Sequence, residues 1–263
     1  MKKILLLMLA GTILVSCKDS KKESTAVIKN NDWTAQNLKG MVKSTELTTY
    51  TPDSAGKTGE MDSCCIVTEE YDDKGYTTSS TRKDSKGNGA ETTTMTRYEK
   101  GQMKAVTYSK SGKNTGGMEI DIDKDGKYSG ARELDSAGKL LFYYTGITED
   151  EYGAVTSGTR HKADSSVFGT FKNEYVNGIQ VGNSGTDSSG KMTYSSKSEL
   201  NDKGDVAKTT ETNAGKDSTT TTVTTYTYDS WDEQGNWTQR TTYNDKGKAT
   251  KVTKRTLTYY KKD

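Results

Sequence analysis

One turn signature, repeated from end to end, limits what this chain can fold into. Asp53-Ser54-Ala55-Gly56, Asp72-Asp73-Lys74-Gly75, Asp84-Ser85-Lys86-Gly87, Asp123-Lys124-Asp125-Gly126, Asp135-Ser136-Ala137-Gly138, Asp187-Ser188-Ser189-Gly190 and Asp232-Glu233-Gln234-Gly235 share it. The aspartate opens a type I turn by accepting hydrogen bonds from its own backbone, and the glycine closes it with a positive φ. Each copy therefore predicts a β-hairpin. Successive turn glycines alternate at spacings of roughly 12 and 14 residues, so alternate turns recur about every 26 residues and one unit is two strands and two turns. Between Gly153 and Gly178 the turn falls at Asp164-Ser165-Ser166, without glycine. The longer gaps Gly56 to Gly75 and Gly215 to Gly235 read as insertions or lost turns.

The stretches between turns are rich in Thr, Tyr and Val, as in Thr92 to Tyr98, Met103 to Tyr108 and Thr219 to Tyr228, and they read as strands. Helical periodicity is scarce. Trp33 to Ser44 is ambiguous, with Gly40 to Ser44 reading better as the first strand. Hydrophobic residues make up only 30% of the chain. A single unit thus buries too little apolar surface to offset the ~1 to 2 kcal/mol that ordering each residue costs. The expected fold is all-β: an elongated, twisted antiparallel sheet of stacked hairpins, able to curl on itself.

The N-terminus has a different composition. Met1-Lys2-Lys3 is a basic start, Ile4 to Val15 an apolar run too short to span a bilayer, and Leu14-Val15-Ser16-Cys17 ends it with a small residue before cysteine. Leu-Val-Ser-Cys resembles the bacterial lipobox. That resemblance implies a signal peptide over residues 1–16, drawn as a helix, and acylation of Cys17. Residues 17–37 are polar and read as a flexible tether, and residues 38–263 as the repeat domain. Lys18 after the cysteine favours delivery to the outer membrane, facing either the periplasm or the cell exterior.

The repeat carries a second resemblance. Tyr71-Asp72-Asp73-Lys74-Gly75, and Tyr228-Asp229 followed by Asp232-Glu233-Gln234-Gly235-Asn236-Trp237, are similar to the Tyr-Asp repeats of bacterial wall and RHS-type proteins. Leu38 to Ser44, followed by Tyr50, resembles the opening of small Tyr-Asp-repeat lipoproteins of Bacteroidetes. The likeness covers about residues 38 to 260 and implies an extended antiparallel sheet outside the cytoplasm. It brings no catalytic residues.

Charge and chemistry narrow the function classes. The 38 basic residues, less the two leader lysines, equal the 36 acidic ones. Lysine alternates with Asp and Glu throughout, which leaves no basic face for nucleic acid. Asp121, Asp123 and Asp125 before Gly126 form half a calcium loop, but its twelfth position is Arg132 rather than glutamate. Cys64 and Cys65 are adjacent and would point to opposite faces of a strand. Unpaired thiols are favoured over a vicinal or intermolecular bridge. His161 is the only histidine, and no nucleophile motif accompanies it.

Ser54, Ser136 and Ser218 sit in Asp-Ser contexts resembling the O-glycosylation sequon of secreted Bacteroidetes proteins. Trp231, Trp237 and Tyr243 are candidates for an aromatic platform that binds glycan or protein, or for the sheet's own packing face. The chain thus reads as a non-enzymatic, lipid-anchored envelope protein presenting a binding or spacer surface to an unknown protein or glycan, with no cofactor beyond candidate calcium. The alternatives are a carbohydrate-active enzyme or glycan-binding module, and a periplasmic accessory scaffold.

Overall fold

The computed structural model describes residues 31–215 and 218–261. The signal helix, Cys17 and the first part of the tether lie outside the described residues. The fold begins with a single helical turn, α1 (Asp32–Ala35). The strands follow in order: β1 (Val42–Pro52), β2 (Thr58–Tyr71), β3 (Thr77–Asp84), β4 (Glu91–Arg97), β5 (Met103–Lys110), β6 (Lys113–Ile122), β7 (Tyr128–Asp135) and β8 (Leu140–Glu149). The second half comprises β9 (Val155–Lys162), β10 (Val167–Val176), β11 (Ile179–Asp187), β12 (Met192–Leu200), β13 (Val206–Ala214), β14 (Thr219–Trp231), β15 (Trp237–Tyr243) and β16 (Ala249–Tyr259).

Every strand pairs antiparallel with its neighbours in sequence, and β1 also pairs with β16, from Val42↔Tyr259 to Tyr50↔Val252. The sheet is therefore a closed barrel and not the open, twisted sheet expected from the repeats. Closure has a local cause. Register slips occur beside the turns, at Glu70/Tyr71, Thr96/Arg97, Asp121/Ile122, Thr148/Glu149 and Glu199/Leu200 at one end, and at Glu133/Leu134 and Thr242/Tyr243 at the other. Such bulges bend a strand and increase its twist, and repeated in hairpin after hairpin they roll the sheet until its edges meet.

The turns follow the chemistry read from sequence. In the β2–β3 turn the Asp72 carboxylate accepts from the Lys74 and Tyr76 amides at 3.0 and 2.9 Å, while Gly75, at φ +87°, donates to the Asp72 carbonyl. The same bonds recur at Asp84, Asp135, Asp187 and Asp232, and asparagine takes the same role at Asn201 and Asn244. The β9–β10 turn is the exception, with Ser165 held at φ +68° where the others have glycine. Ser165→Gly should raise stability by about 0.5 to 1 kcal/mol, measured by urea denaturation, because the left-handed conformation costs a side-chain-bearing residue roughly that much. The two long glycine gaps contain neither an insertion nor a lost turn, but the longer strands β2 and β14.

Cys64 and Cys65 are joined as a vicinal disulfide across a cis peptide bond, in place of the unpaired thiols favoured above. The register slips there, between Cys64 and Ile66, so the alternation that would send the two side chains to opposite faces does not hold.

Residues directly opposed across an antiparallel pair share a face, so the register sorts the barrel into an inner and an outer wall. One inner row runs Met95, Val106, Met118, Glu133, Phe142. One outer row runs Lys172, Ser184, Ser195, Thr212, Thr221. The inner wall carries Tyr, Phe, Met and Val together with every arginine except Arg132, while the outer wall is built mainly of Thr, Ser, Lys and Glu. Tyr108 and Tyr194 point inwards yet are 38% and 39% exposed, as expected of a lumen wide enough for water.

Candidate functional site

The lumen has two ends. Even-to-odd connections such as β2–β3 and β12–β13 lie at one, odd-to-even connections such as β1–β2 at the other. The segment from Asn31 to Lys39, read from sequence as the end of a tether and the start of the repeat, crosses the first end as a plug. Asn31 caps α1 by accepting from the Thr34 amide at 3.0 Å, and its Nδ2 donates to the Lys74 carbonyl at 2.7 Å. On the far side, Asn37 donates to the Lys203 carbonyl at 3.0 Å and to Asp205 at 2.9 Å, and Lys39 exchanges two hydrogen bonds with the Asn236 side chain. The anchoring turns, β2–β3 and β12–β13, stand on nearly opposite arcs of the ring.

The plug is held by one apolar cluster and one ion pair. Leu38 packs with Val42 and Tyr71, flanked by Trp33, Leu257 and Tyr259, and the Trp33 indole donates to the Val42 carbonyl at 2.9 Å. Gly75 lets the ring lie flat against the turn, since a Cβ there would stand 2.5 Å from the Trp33 ring. Asp32 accepts from Arg97 and from the Thr77 amide, both at 2.6 Å, which places the charge of the plug against the inner wall. Burial and the neighbouring Glu69 carboxylate, to which its hydroxyl donates at 2.7 Å, push the Tyr71 phenol well above its ordinary range.

Between the plug and the inner wall of β4 to β10 lies a recess of about 1180 Å³. Met103, Val106, Met118, Ile120, Ile147 and Phe171 supply its apolar surface. Tyrosines add ring surface, and four of their hydroxyls are already engaged. Tyr98 donates to the Ile120 carbonyl at 2.9 Å, Tyr144 to Glu133 at 3.2 Å and Tyr175 to the Val155 carbonyl at 3.2 Å, while the Tyr128 hydroxyl accepts from the Met103 amide at 2.7 Å. Burial pushes the Tyr144 phenol up to about 12 and raises Tyr128 and Tyr175 in the same sense.

Elsewhere on the inner wall arginines lie over rings. Arg160 stacks on Phe142 at 3.6 Å while pairing with Glu133 at 2.7 Å, and Arg255 stacks on Trp237 at 3.9 Å. Such stacking suits the planar, weakly hydrated guanidinium. Burial pulls Arg255 down to about 10, which leaves it a cation at neutral pH.

The residues singled out in the sequence fall mostly outside this recess. Trp231 and Trp237 face each other across β14 and β15, gathered with Tyr228 at centroid distances of 5.6 and 5.9 Å, and Lys203 caps Trp231 at 3.7 Å. Trp237 is buried, and Tyr243 stands apart, opposite Thr225 on the outer wall, so the three do not form one platform. Asp123 caps its own turn and Asp121 faces outwards beside Arg132, at 3.4 Å. Asp125 does not join them in a site. Among the described residues, no group of three or more His, Cys, Asp or Glu is placed to hold a metal.

Ser54, Ser136 and Ser218 are exposed in turns at the end opposite the plug. His161 lies on the outer wall, stacked on Tyr143 at 4.7 Å. In the Tyr-Asp pattern, Asp72 opens a turn but Asp229 does not. It lies within β14, accepting from Thr241, and Trp231 before Asp232 is the true counterpart of Tyr71 before Asp72. The plug did leave a trace in the sequence, since Asn-Asp-Trp is a helix N-cap followed by an acidic first turn.

No family model and no curated protein matches this sequence. Its fold, a closed antiparallel β-barrel, is similar to that of a solved structure. A porin-like protein from Bacteroides uniformis superimposes with a TM-score of 0.53 over 82% of this chain and 98% of that one, at 14% identity. A porin-like protein from Bacteroides vulgatus gives 0.42 over 84% and 99%, at 13% identity. The Photorhabdus luminescens Tc holotoxin pore gives 0.30 over 76% of this chain and 13% of that one, at 14% identity.

Proposed function

We propose that this chain is a lipid-anchored protein of the bacterial cell envelope whose barrel stands in water and acts as a non-catalytic binding body, with the inner wall as its recognition surface. The polarity of the two walls carries this reading. A barrel that spans a membrane needs an outward apolar band about 25 Å tall, and each Lys or Arg at its midplane costs about 2 to 4 kcal/mol. Here the outer wall has Thr48 beside Lys254, Lys197 beside Thr210 and Glu119 beside Arg132. Its scattered apolar residues, such as Tyr50, Met61, Tyr143 and Met192, form no continuous band, while Met95, Val106, Met118, Phe142 and Phe171 face the lumen. Such a wall is solvated by water and not by lipid, so attachment to a membrane falls to Cys17, and the partner is a small molecule, glycan or protein met outside the cytoplasm.

The test is the mature chain, residues 17–263 without the leader, carrying Cys17→Ala. It should be soluble without detergent as a monodisperse, β-rich species, while the acylated protein stays membrane-bound, and neither should open ion-conducting channels in planar bilayers. A variant that still requires detergent, or discrete conductance steps from either form, would overturn the reading.

A further inference from the structure

We infer that the recess beneath the plug binds an apolar, planar small molecule that bears no negative charge. This rests on the barrel being a water-soluble body, as proposed above. The class follows from what the recess offers. Its wall presents thioethers, aliphatic groups and ring surfaces, and the hydroxyls of Tyr98, Tyr128, Tyr144 and Tyr175, which would otherwise recognise a sugar, are already engaged with backbone groups of the barrel or with Glu133. A glycan would find partners only at a few groups such as the Gln102 amide oxygen and would bury most of its hydroxyls unpaired, at roughly 1 to 3 kcal/mol each. A flat apolar molecule exchanges only water for ring and sulfur contacts.

The volume, about 1180 Å³, is somewhat above the roughly 300 to 1,000 Å³ of pockets that enclose small ligands, which leaves room for one together with water. Charge sets the second restriction. The rim carries Asp72, Glu99 and Glu151 against Lys74 and Lys100. Deeper in, Glu149 accepts from the Tyr128 amide beside the Asp32–Arg97 pair, whose charges already cancel. Carboxylates are thus in excess, and the arginine that lines the recess, Arg97, is already paired with Asp32.

The experiment titrates the same leaderless Cys17→Ala chain, residues 17–263, with N-phenyl-1-naphthylamine, which is neutral, and with 1-anilinonaphthalene-8-sulfonate, which has the same aromatic framework with a sulfonate. The neutral dye should bind saturably at one site, at least 10-fold more tightly than the sulfonate. Met118→Glu should weaken it by at least 10-fold and Val106→Thr by about 3-fold, whereas Lys251→Ala, on the inner wall outside the recess, should leave it unchanged. If circular dichroism shows that Met118→Glu does not fold, the near-isosteric Val106→Thr decides.

Absence of saturable binding by a monodisperse, β-rich protein overturns the inference, as does equal or tighter binding of the sulfonate. Binding that neither recess variant weakens overturns it too. Failure of the chain to stay soluble without detergent appears before any dye is added, and counts against the function proposed above instead.

Discussion

Trp33→Ala is expected to destabilise the barrel by about 2 to 3 kcal/mol and to release the plug. The estimate sits below the 3 to 5 kcal/mol of a fully buried tryptophan because Trp33 is only half-buried against Leu38, Val42 and Tyr71. For a domain of this size it corresponds to a fall in Tm of roughly 5 to 10 °C. Limited proteolysis gives a second reading, since Lys39, held to Asn236 in the intact protein, should become a preferred tryptic site. Trp33→Phe keeps most of the packing and removes only the indole bond to the Val42 carbonyl, so it should cost about 1 kcal/mol. Equal and small effects from both variants would mean that the plug is not held through this ring.

The second large effect is alkaline unfolding. Burial raises the phenols of Tyr71, Tyr108, Tyr128, Tyr144, Tyr175, Tyr228, Tyr259 and Tyr260, with Tyr144 and Tyr259 each reaching about 12. Above the ordinary value of 10 the unfolded chain loses these protons while the folded one keeps them. The stability they contribute is therefore complete below pH 10 and is lost as pH rises from 10 through about 12. Arg255 acts in the opposite sense, since its lowered value makes folding more favourable as pH passes 10, but one arginine opposes many tyrosines. Tyrosinate absorbance at 295 nm should rise in a cooperative step that coincides with loss of the β signal in circular dichroism. A shallow titration over that range with the β signal intact would show that the phenols are solvated in the folded state.

How much of this was legible before the structure depends on the distance over which each feature is encoded. The turns were legible because Asp72 and Gly75 settle theirs within five residues. The sorting of strands into walls was partly legible, for Ile120 and Ile122 bracket Asp121 in the sequence as they do in β6. Closure was not, because it arises from single-residue slips such as Glu70/Tyr71, which leave no mark on the pattern of residue types. The recess was hidden for a related reason. Met118, Tyr144 and Phe171 lie on separate strands, and none forms a motif with its sequence neighbours. The one compositional sign was the choice of arginine over lysine at Arg97, Arg160, Arg240 and Arg255, in a chain that otherwise prefers lysine. The plug resembled a tether because its partners, Lys74, Asp205 and Asn236, are spread over the rest of the chain.

The ring is completed by its oldest and its youngest strand. During synthesis β1 has β2 on one side but no neighbour on the other until β16 emerges, more than two hundred residues later. Until then the nascent protein is a ribbon with two bare margins, the form most open to association with other chains. A premature stop that removed only β16 would leave that ribbon as the final product, with Val42 and Tyr50 deprived of partners. The quality of the last eleven residues of the sheet thus governs whether the preceding fifteen strands remain a monomer.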